Sequence, residues 1–336
     1  MKKKRKLKKH KAAKVGKAQF YIGVDVGGTK ISAALVDPYG GILAHQKHPT
    51  ARTTKPGVIG RQIEDIIKEV LLEGEVSVRS IKGIGLGVPG IVHPQSNKIL
   101  VTPNIALAGY PLFHRLKKIF KTKVAMGNDV NLGTLAEHWL GAGKKEKNII
   151  GIFLGTGVGG GIIMDGKVYT GAQGAGGELG HMIIDLHSPL SSAGVFGTLE
   201  ALTGRRAIER AIHEAIRKKK KTIVADLIDG NRKVIKSKVI RKALKSHDRV
   251  VVEIMNNVCQ VLGKACVSLR HIFNPDMIIL GGGIMEACGE YILPRVQKVF
   301  SKDPFMAGID KCVIVQSKLA DDAVILGAVA LVKHGQ

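Results

Sequence analysis

The stretch YIGVDVGGTKISAALV, residues 21–36, decides the fold, and the stretch IGIFLGTGVGGGIIM, residues 150–164, repeats its form later in the chain. Each has an apolar run, a break of glycine and threonine, and a second apolar run, which predicts a β-hairpin with a glycine tip. Glycine exposes backbone N–H groups and threonine adds a hydroxyl, so such a tip can bind an anion. The matched pair predicts two similar halves that hold a polyphosphate between them; two unrelated surface hairpins are the alternative.

The length and composition indicate a globular protein with a full core. The chain has 336 residues, of which 45% are hydrophobic, and this length favours about two domains. No stretch approaches 18 uninterrupted apolar residues, so we predict no membrane span. The four cysteines show neither C-x-x-C spacing nor the density of a disulfide-rich protein. This pattern fits a reducing cytoplasm, where we expect the protein to reside. The cysteines are Cys259, Cys266, Cys288 and Cys312, and we expect the first two to be buried in a helix.

The charge is strongly positive and concentrated at the start of the chain. The net charge is +25, and residues 1–17 hold ten Lys and Arg and no acidic residue. This segment lacks the apolar region of a signal peptide, so we predict a disordered basic tail. The alternative is a segment that contacts a polyanion such as RNA or polyphosphate.

The order of apolar patterns predicts an α/β fold, because strands alternate with helices. A strand over residues 123–126 is expected to deliver Gly127, Asn128 and Asp129 at its carboxyl end, with Asn131 as the cap of the next helix. The other predicted strands are residues 81–88, 276–281 and 312–316, and the predicted helices are residues 56–73, 112–120, 250–273 and 323–334.

Three polar side chains stand where chemistry is expected. Asp129 can act as a general base, although it could also merely cap the following helix. Glu178 and His181 follow a glycine-rich loop and are three positions apart. They can share one ligand, either a diol or a metal, although a surface pair is the alternative.

An ordered set of motifs carries a family resemblance. The motifs are Asp25-x-Gly-Gly-Thr-Lys30, Gly87-Val-Pro-Gly90, Pro103-Asn104, Asn128-Asp129, Leu154-Gly-Thr-Gly157, Glu178-Leu-Gly-His181, Leu199-Glu200-Ala and Leu280-Gly-Gly-Gly283. From about Phe20 onward the chain resembles the ROK family (repressors, open reading frames and kinases) of sugar kinases, and within it the bacterial glucokinases. The resemblance implies an actin-like ATPase fold of two RNase-H-like lobes with an active-site cleft between them. We expect a small lobe of residues 18–126, joined by the C-terminal helix of residues 320–336, and a large lobe of residues 127–319.

The resemblance also implies the reaction and the site. The expected activity is ATP-dependent phosphorylation of glucose to glucose 6-phosphate, with Mg²⁺ and with Asp129 as the general base. The sugar contacts would be Asn104, Asn128, Asp129, Glu178, His181 and Glu200. The residues that hold ATP and Mg²⁺ would be Asp25, Gly27, Gly28, Thr29, Lys30, Gly155, Thr156, Gly157, Gly281, Gly282 and Gly283, although Lys30 could instead be a solvated charge. We also expect a homodimer or a homotetramer.

The sequence departs from the family pattern at a zinc-binding motif. Many members hold zinc with the histidine of Glu-x-Gly-His and three following cysteines. The matching positions here are Ser191, Ala193 and Thr198. Hydroxyl groups are poor zinc ligands and alanine has none, so we expect no zinc and a loop held by packing or hydrogen bonds.

Three other functions remain open. The substrate could be another hexose or an amino sugar, and the donor could be polyphosphate. The chain could also be a sugar-responsive DNA-binding regulator. Such regulators carry a helix-turn-helix domain, and the roughly 18 residues before the first predicted strand are too few for one. We therefore expect an enzyme.

Overall fold

The structure, a computed structural model, describes residues 19–228, 234–306, 308–309 and 311–335; the predicted basic tail of residues 1–17 lies outside them. The strands are β1 Phe20–Val26, β2 Lys30–Val36, β3 Ile42–Pro49, β4 Ile81–Val88, β5 Ile91–Val92, β6 Ile99–Val101, β7 Lys123–Asn128, β8 Ile149–Leu154, β9 Val158–Met164, β10 Lys167–Val168, β11 Ser191–Ser192, β12 Val195–Phe196, β13 Met277–Gly281 and β14 Val313–Gln316. The helices are α1 Pro56–Glu73, α2 Leu112–Phe120, α3 Asp129–Trp139, α4 Leu199–Thr203, α5 Arg205–Arg217, α6 Val224–Leu227, α7 Ser237–Lys245, α8 Arg249–Phe273, α9 Gly283–Phe300 and α10 Ala323–His334. Short 3-10 helices span Val78–Ser80, Leu179–His181 and Ala320–Asp322.

Two five-stranded sheets have the same topology. Their strand orders are β3-β2-β1-β4-β7 and β10-β9-β8-β13-β14. In each sheet the first three strands pair antiparallel and the last two add in parallel. The two glycine-tipped hairpins, β1-β2 and β8-β9, occupy equivalent places in the two sheets. The prediction of two similar halves, each with its own hairpin, is therefore confirmed.

Helices α3 and α10 lie between the two sheets. Helix α10 packs on β1 and β4 and against α3, and α3 packs on β8 and β9. This layer is tight, because a Cβ added at Gly85 would lie 1.8 Å from the carbonyl oxygen of Ala328, and one at Gly327 would lie 1.8 Å from that of Leu132. The predicted lobe boundary after residue 126 falls inside β7, so the division of the chain at that point remains a proposal.

Each sheet buries its own apolar core on its outer face. Helix α1 begins at Pro56, a residue suited to the first helical position, and buries Ile63, Ile67 and Val70 against β2 and β3. Helices α8 and α9 pack together beside the second sheet. Cys259 and Cys266 are buried in α8, as predicted.

One helix in the described part of the chain, α8, is long and apolar enough to cross a membrane by length and composition alone. Half of its most apolar window is buried inside the protein, as in a core helix of a globular fold.

Candidate active site

Polar residues meet at the carboxyl ends of three parallel strands. Asp25 of β1 is paired with Gly87 of β4, and Gly87 is paired with Gly127 of β7. Because neighbouring parallel strands end at the same edge of a sheet, Asp25 and the Asn128-Asp129 pair face one region. The sequence predicted the Asn128-Asp129 pair at a strand end, and the role of Asp25 followed from the family resemblance.

The first hairpin tip is held closed by its own backbone and by Thr50. The Gly27 N–H donates to the Lys30 carbonyl (2.9 Å), and the Thr50 hydroxyl donates to the Gly27 carbonyl (2.6 Å). Lys30 lies 3.8 Å from Asp321, so this side chain has a carboxylate partner rather than being simply a solvated charge. Gly28 lies against Asn104, since an added Cβ would be 3.1 Å from the Asn104 Cβ. These two residues line a groove of about 560 Å³.

The second hairpin tip is braced by Glu200. The Gly155 N–H donates to the Gly157 carbonyl (2.9 Å), and the Val158 N–H donates to Glu200 Oε2 (2.8 Å). A Cβ at Gly157 would lie only 1.9 Å from the same carboxylate oxygen, so glycine is needed there. Glu200, a predicted sugar contact, therefore also supports the predicted phosphate loop.

The third glycine segment runs beside this hairpin. Gly281 is paired with Phe153, and Gly282 adopts a φ of 85° in the left-handed region that favours glycine. A Cβ at Gly282 would also lie 2.6 Å from the Leu154 carbonyl oxygen. Asp129 and Gly282 line one cavity of about 150 Å³, which links the predicted base to the predicted nucleotide segment.

Asn128, rather than Asn131, caps α3. Its Oδ1 accepts hydrogen bonds from the backbone N–H groups of Val130 (2.9 Å) and Asn131 (3.0 Å), and its Nδ2 donates to the Gly90 carbonyl (2.9 Å). The prediction of Asn131 as the cap was wrong, because β7 extends two residues further and α3 starts at once at Asp129. Asn131 is instead a buried residue of the helix.

Asp129 lies at the start of α3 with a pKa that burial raises above the usual range for aspartate. A hydrogen bond from the Val130 N–H (3.0 Å) to its Oδ1 opposes this rise, and the charge of Glu178 adds to it. Burial also raises the pKa of Asp25 to about 6, and the charge of Asp129 is the second cause. The carboxylates of Asp25 and Asp129 therefore share one weakly solvated region, and the exposed Glu178 is near enough to act on Asp129.

Glu178 and His181 lie on a turn that packs against the second hairpin. Glu178 precedes the 3-10 helix Leu179–His181 and His181 is its last residue; the His181 N–H donates to the Glu178 carbonyl (3.0 Å). A Cβ at Gly180 would lie 1.9 Å from the Val158 carbonyl oxygen, so the turn approaches β9 very closely. Both residues are exposed, which fits the predicted ligand-binding pair and also the alternative of a surface pair.

The loop that replaces the family's zinc motif is joined by hydrogen bonds. Thr198 caps α4 by accepting from the Ala201 N–H (3.1 Å), Ser192 donates to Glu200, and the Leu199 N–H donates to the Met182 carbonyl (2.8 Å). Among the described residues no group of three or more His, Cys, Asp or Glu side chains is placed to hold a metal. The absence of zinc itself stays a prediction.

Sequence reasoning missed Arg205 at this site. Its Nη2 donates to the Thr156 hydroxyl oxygen (3.0 Å) at the tip of the second hairpin. The two residues are 49 positions apart, and no spacing pattern in the sequence connects them. The available signal was a pair of arginines at the start of a helix, where positive charge is unfavourable.

Comparisons with known proteins agree with this arrangement. The model of the ROK family matches residues 21–335. The chain is 33% identical over 314 residues to a glucokinase from Thermotoga maritima, covering 93% of this chain and 97% of that protein. It is 30% identical over 313 residues to a xylose repressor from Caldicellulosiruptor bescii, covering 93% of this chain and 77% of the repressor.

A solved structure of a ROK family protein has a fold similar to that of this chain. The crystal structure of a ROK family glucokinase from Streptomyces griseus in complex with glucose and AMPPNP matches with a TM-score of 0.80 and 28% identity, over 94% of this chain and 100% of that one. The family match, the relatives and this structure each cover nearly the whole of the described chain. The chain belongs to the ROK family, and it has the actin-like ATPase fold of the ROK sugar kinases.

Proposed function

We propose that the protein transfers the terminal phosphoryl group of ATP to the 6-hydroxyl of glucose and forms glucose 6-phosphate. One observation carries the proposal: Asp129, a carboxylate with a raised pKa, stands at the carboxyl end of β7 and shares its region with Asp25 and Glu178. The similarity to glucokinases supports a sugar kinase, and the complex of the S. griseus enzyme with glucose and AMPPNP supports the choice of substrates.

Asp129 acts as the general base in this proposal. A sugar hydroxyl is a weak nucleophile, and a carboxylate within hydrogen-bond reach accepts its proton as the new phosphorus–oxygen bond forms. The bond between the transferred phosphorus and the departing ADP oxygen breaks in the same displacement. A raised pKa makes the ionised carboxylate of Asp129 a stronger proton acceptor.

The glycine tips and Asp25 fit a Mg·ATP complex. Gly28, Thr29, Gly155 and Thr156 lie at tips whose backbone faces open space or solvent, which is the chemistry that cradles phosphates. Mg²⁺ is held in proteins by one or two carboxylates together with substrate phosphates, and Asp25 supplies such a carboxylate. Bound Mg²⁺ would neutralise phosphate charge, and Asp25 and Lys30 would orient the phosphates beside it.

The sugar would be held by amides, carboxylates and an imidazole. Each sugar hydroxyl needs a donor and an acceptor, and Asn104, Glu178 and His181 are exposed to provide them. Asn128 and Glu200 already hold the protein backbone, so their part in sugar binding rests on their remaining donor and acceptor positions.

Other functions stay as alternatives that the same site permits. The pocket could select another hexose or an amino sugar, and polyphosphate could replace ATP. The similarity to a xylose repressor keeps a sugar-responsive regulator as a second candidate. Retention of Asp129 favours an enzyme, because sensing a sugar requires no general base. A homodimer or homotetramer in the cytoplasm remains part of the proposal.

A substrate screen tests the proposal. Purified protein is assayed against glucose, mannose, N-acetylglucosamine, N-acetylmannosamine and xylose, with Mg·ATP and with polyphosphate as donors. We expect the highest kcat/KM with glucose and ATP. A higher value with another sugar or with polyphosphate would transfer the proposal to that substrate. Sugar binding by calorimetry without turnover on any donor would favour a regulator.

A further inference from the structure

The tip of the second hairpin is fastened to the start of helix α5. The backbone N–H of Arg205 donates to the Gly155 carbonyl (3.2 Å), and that of Arg206 donates to the Thr156 carbonyl (3.2 Å). The Arg205 guanidinium adds a third link through Nη2 to the Thr156 hydroxyl oxygen (3.0 Å). A permanent positive charge therefore lies directly on the predicted phosphate loop.

Glu209 fixes the orientation of this guanidinium. Arg205 Nη1 pairs with Glu209 Oε1 one turn further along α5, and the same oxygen accepts from the Ile235 N–H (3.1 Å). The Glu209 side chain is only 12% exposed and that of Arg205 is 20% exposed. A guanidinium held in this way loses little further freedom when it binds a ligand.

The position of Arg205 is unfavourable without a negative partner beyond Glu209. The start of a helix carries a partial positive charge, and Arg205 and Arg206 are the first two residues of α5, whose first turn has no acidic residue. Cations at this end of a helix are destabilising. An anion bound at the hairpin tip would offset that cost.

We propose that Arg205 is a phosphate-binding residue of the donor site. Its guanidinium and the Thr156 hydroxyl would contact phosphate oxygens of the nucleotide together. The Thr156 oxygen accepts from Arg205, so its own hydrogen is directed to another acceptor, and a phosphate oxygen meets that need. This inference rests on the proposed kinase function, because it assigns a role at the donor site.

Binding measurements on matched arginine variants test the assignment. Arg205→Gln removes the charge and keeps a polar side chain. Arg206→Gln is the control, because the Arg206 side chain is exposed and next in sequence. We expect Arg205→Gln to weaken Mg·AMPPNP binding about 10- to 100-fold and adenosine binding less than threefold. Arg206→Gln should change neither by more than about threefold, and the glucose Kd should stay constant in both variants.

Two further readouts separate phosphate contact from a purely structural link. In Arg205→Gln the binding of Mg·AMPPNP should depend less steeply on salt, because one charge contact is lost. The Tm of this variant should fall, because Glu209 loses its guanidinium partner, so binding is compared below the Tm of every variant. Added guanidinium ions should partly restore AMPPNP binding to Arg205→Ala. Equal weakening of AMPPNP and adenosine, an unchanged salt dependence of AMPPNP binding, or equal effects at Arg205 and Arg206 would overturn the proposal.

The same measurements distinguish failure of the Arg205 assignment from failure of the proposed kinase function. Tight AMPPNP binding that depends on Arg205, without turnover on any sugar, would support Arg205 and contradict the kinase. Turnover that is unchanged in Arg205→Gln would keep the kinase and contradict this role of Arg205. If the wild-type protein does not bind AMPPNP, both proposals fail.

Discussion

Asp129 makes a local hydrogen bond in the structure and is also the general base that we propose. It begins α3, where its carboxylate accepts a hydrogen bond from the Val130 N–H, while Asn128 provides the cap. Because the cap belongs to Asn128, the carboxylate of Asp129 is not needed to start the helix. The sequence alone could not separate these two roles, since both residues are good capping residues.

The substitution Asp129→Asn removes the proton acceptor and nearly keeps the shape of the side chain. We expect kcat to fall roughly 10²- to 10⁴-fold, the usual contribution of a general base. Glucose binding should remain within a few-fold, because an amide still offers a donor and an acceptor. Steady-state kinetics and calorimetry measure the two effects, and near-normal turnover would end the assignment of Asp129 as the base.

The raised carboxylate pKa values predict an acid limb in the pH profile. Asp25 has a pKa of about 6 and that of Asp129 is also raised, so both become protonated at higher pH than an ordinary aspartate. Protonated Asp129 cannot accept a proton, and protonated Asp25 cannot orient Mg²⁺. We expect kcat/KM to fall as the pH decreases through about 6. A profile that stays flat down to pH 4.5 would contradict this reading.

At the scale of elements, the close packing of the Glu178–His181 turn against β9 can be tested at Gly180. A Cβ there would meet the Val158 carbonyl oxygen at 1.9 Å, so Gly180→Ala must displace the turn. Overpacking of this kind costs roughly 1–3 kcal/mol. We expect the KM for the sugar to rise about tenfold or more, and the KM for ATP to change less.

Gly57→Ala in α1 is the control for that variant. Its added Cβ would have only the Tyr110 ring as a neighbour, at an ordinary 3.9 Å, and alanine favours a helix. It should keep both KM values and stability. If Gly180→Ala leaves the sugar KM unchanged while Gly57→Ala behaves as expected, the turn does not position the sugar contacts.

Much of the element structure could be predicted because the apolar periodicity is strong. The helices Pro56–Glu73, Leu112–Phe120 and Ala323–His334 have the predicted bounds, and both glycine hairpins were predicted. The cap of α3 was misassigned because Asn128 and Asn131 are equivalent by composition. What separates them is the extended backbone of Asn128, with a φ of −63° and a ψ of 139°, which no sequence pattern specifies.

The contacts that build the site were harder to predict than its elements. The motifs indicated Glu200 as a ligand residue, and the structure adds its bond to the Val158 N–H, 42 positions away. Arg205 was not identified at all, because its contact with Thr156 depends on how α5 docks on the second hairpin. Such pairings arise from tertiary packing, which single-sequence patterns do not encode.

At the scale of the whole molecule, two sheets of identical topology lie on either side of α3 and α10. The residues assigned to the phosphates come from both sheets, and those assigned to the sugar come from the end of β7 and from the segments that follow β6, β7, β10 and β12. In the proposed function both substrates would meet between the halves of the fold, where closure would exclude water.

The basic segment of residues 2–17 precedes β1 and matches no motif of the site. We expect its deletion to leave ATP-dependent turnover within about twofold, and to remove salt-sensitive retention of polyanions such as RNA. Parallel kinetic and filter-binding assays of the full-length and truncated protein measure both effects. Loss of ATP-dependent turnover on truncation would show that the segment belongs to the active fold. Selective loss of polyphosphate-dependent turnover would transfer the donor assignment to polyphosphate.

The central claim, phosphoryl transfer from ATP to glucose with Asp129 as the base, is tested most directly by ³¹P NMR of the reaction mixture. Purified protein with glucose and Mg·ATP should produce ADP and glucose 6-phosphate in equal amounts, and Asp129→Asn should form both at least about 100-fold more slowly. Absence of the glucose 6-phosphate signal, release of inorganic phosphate without glucose, or equal rates in the two proteins would contradict the account.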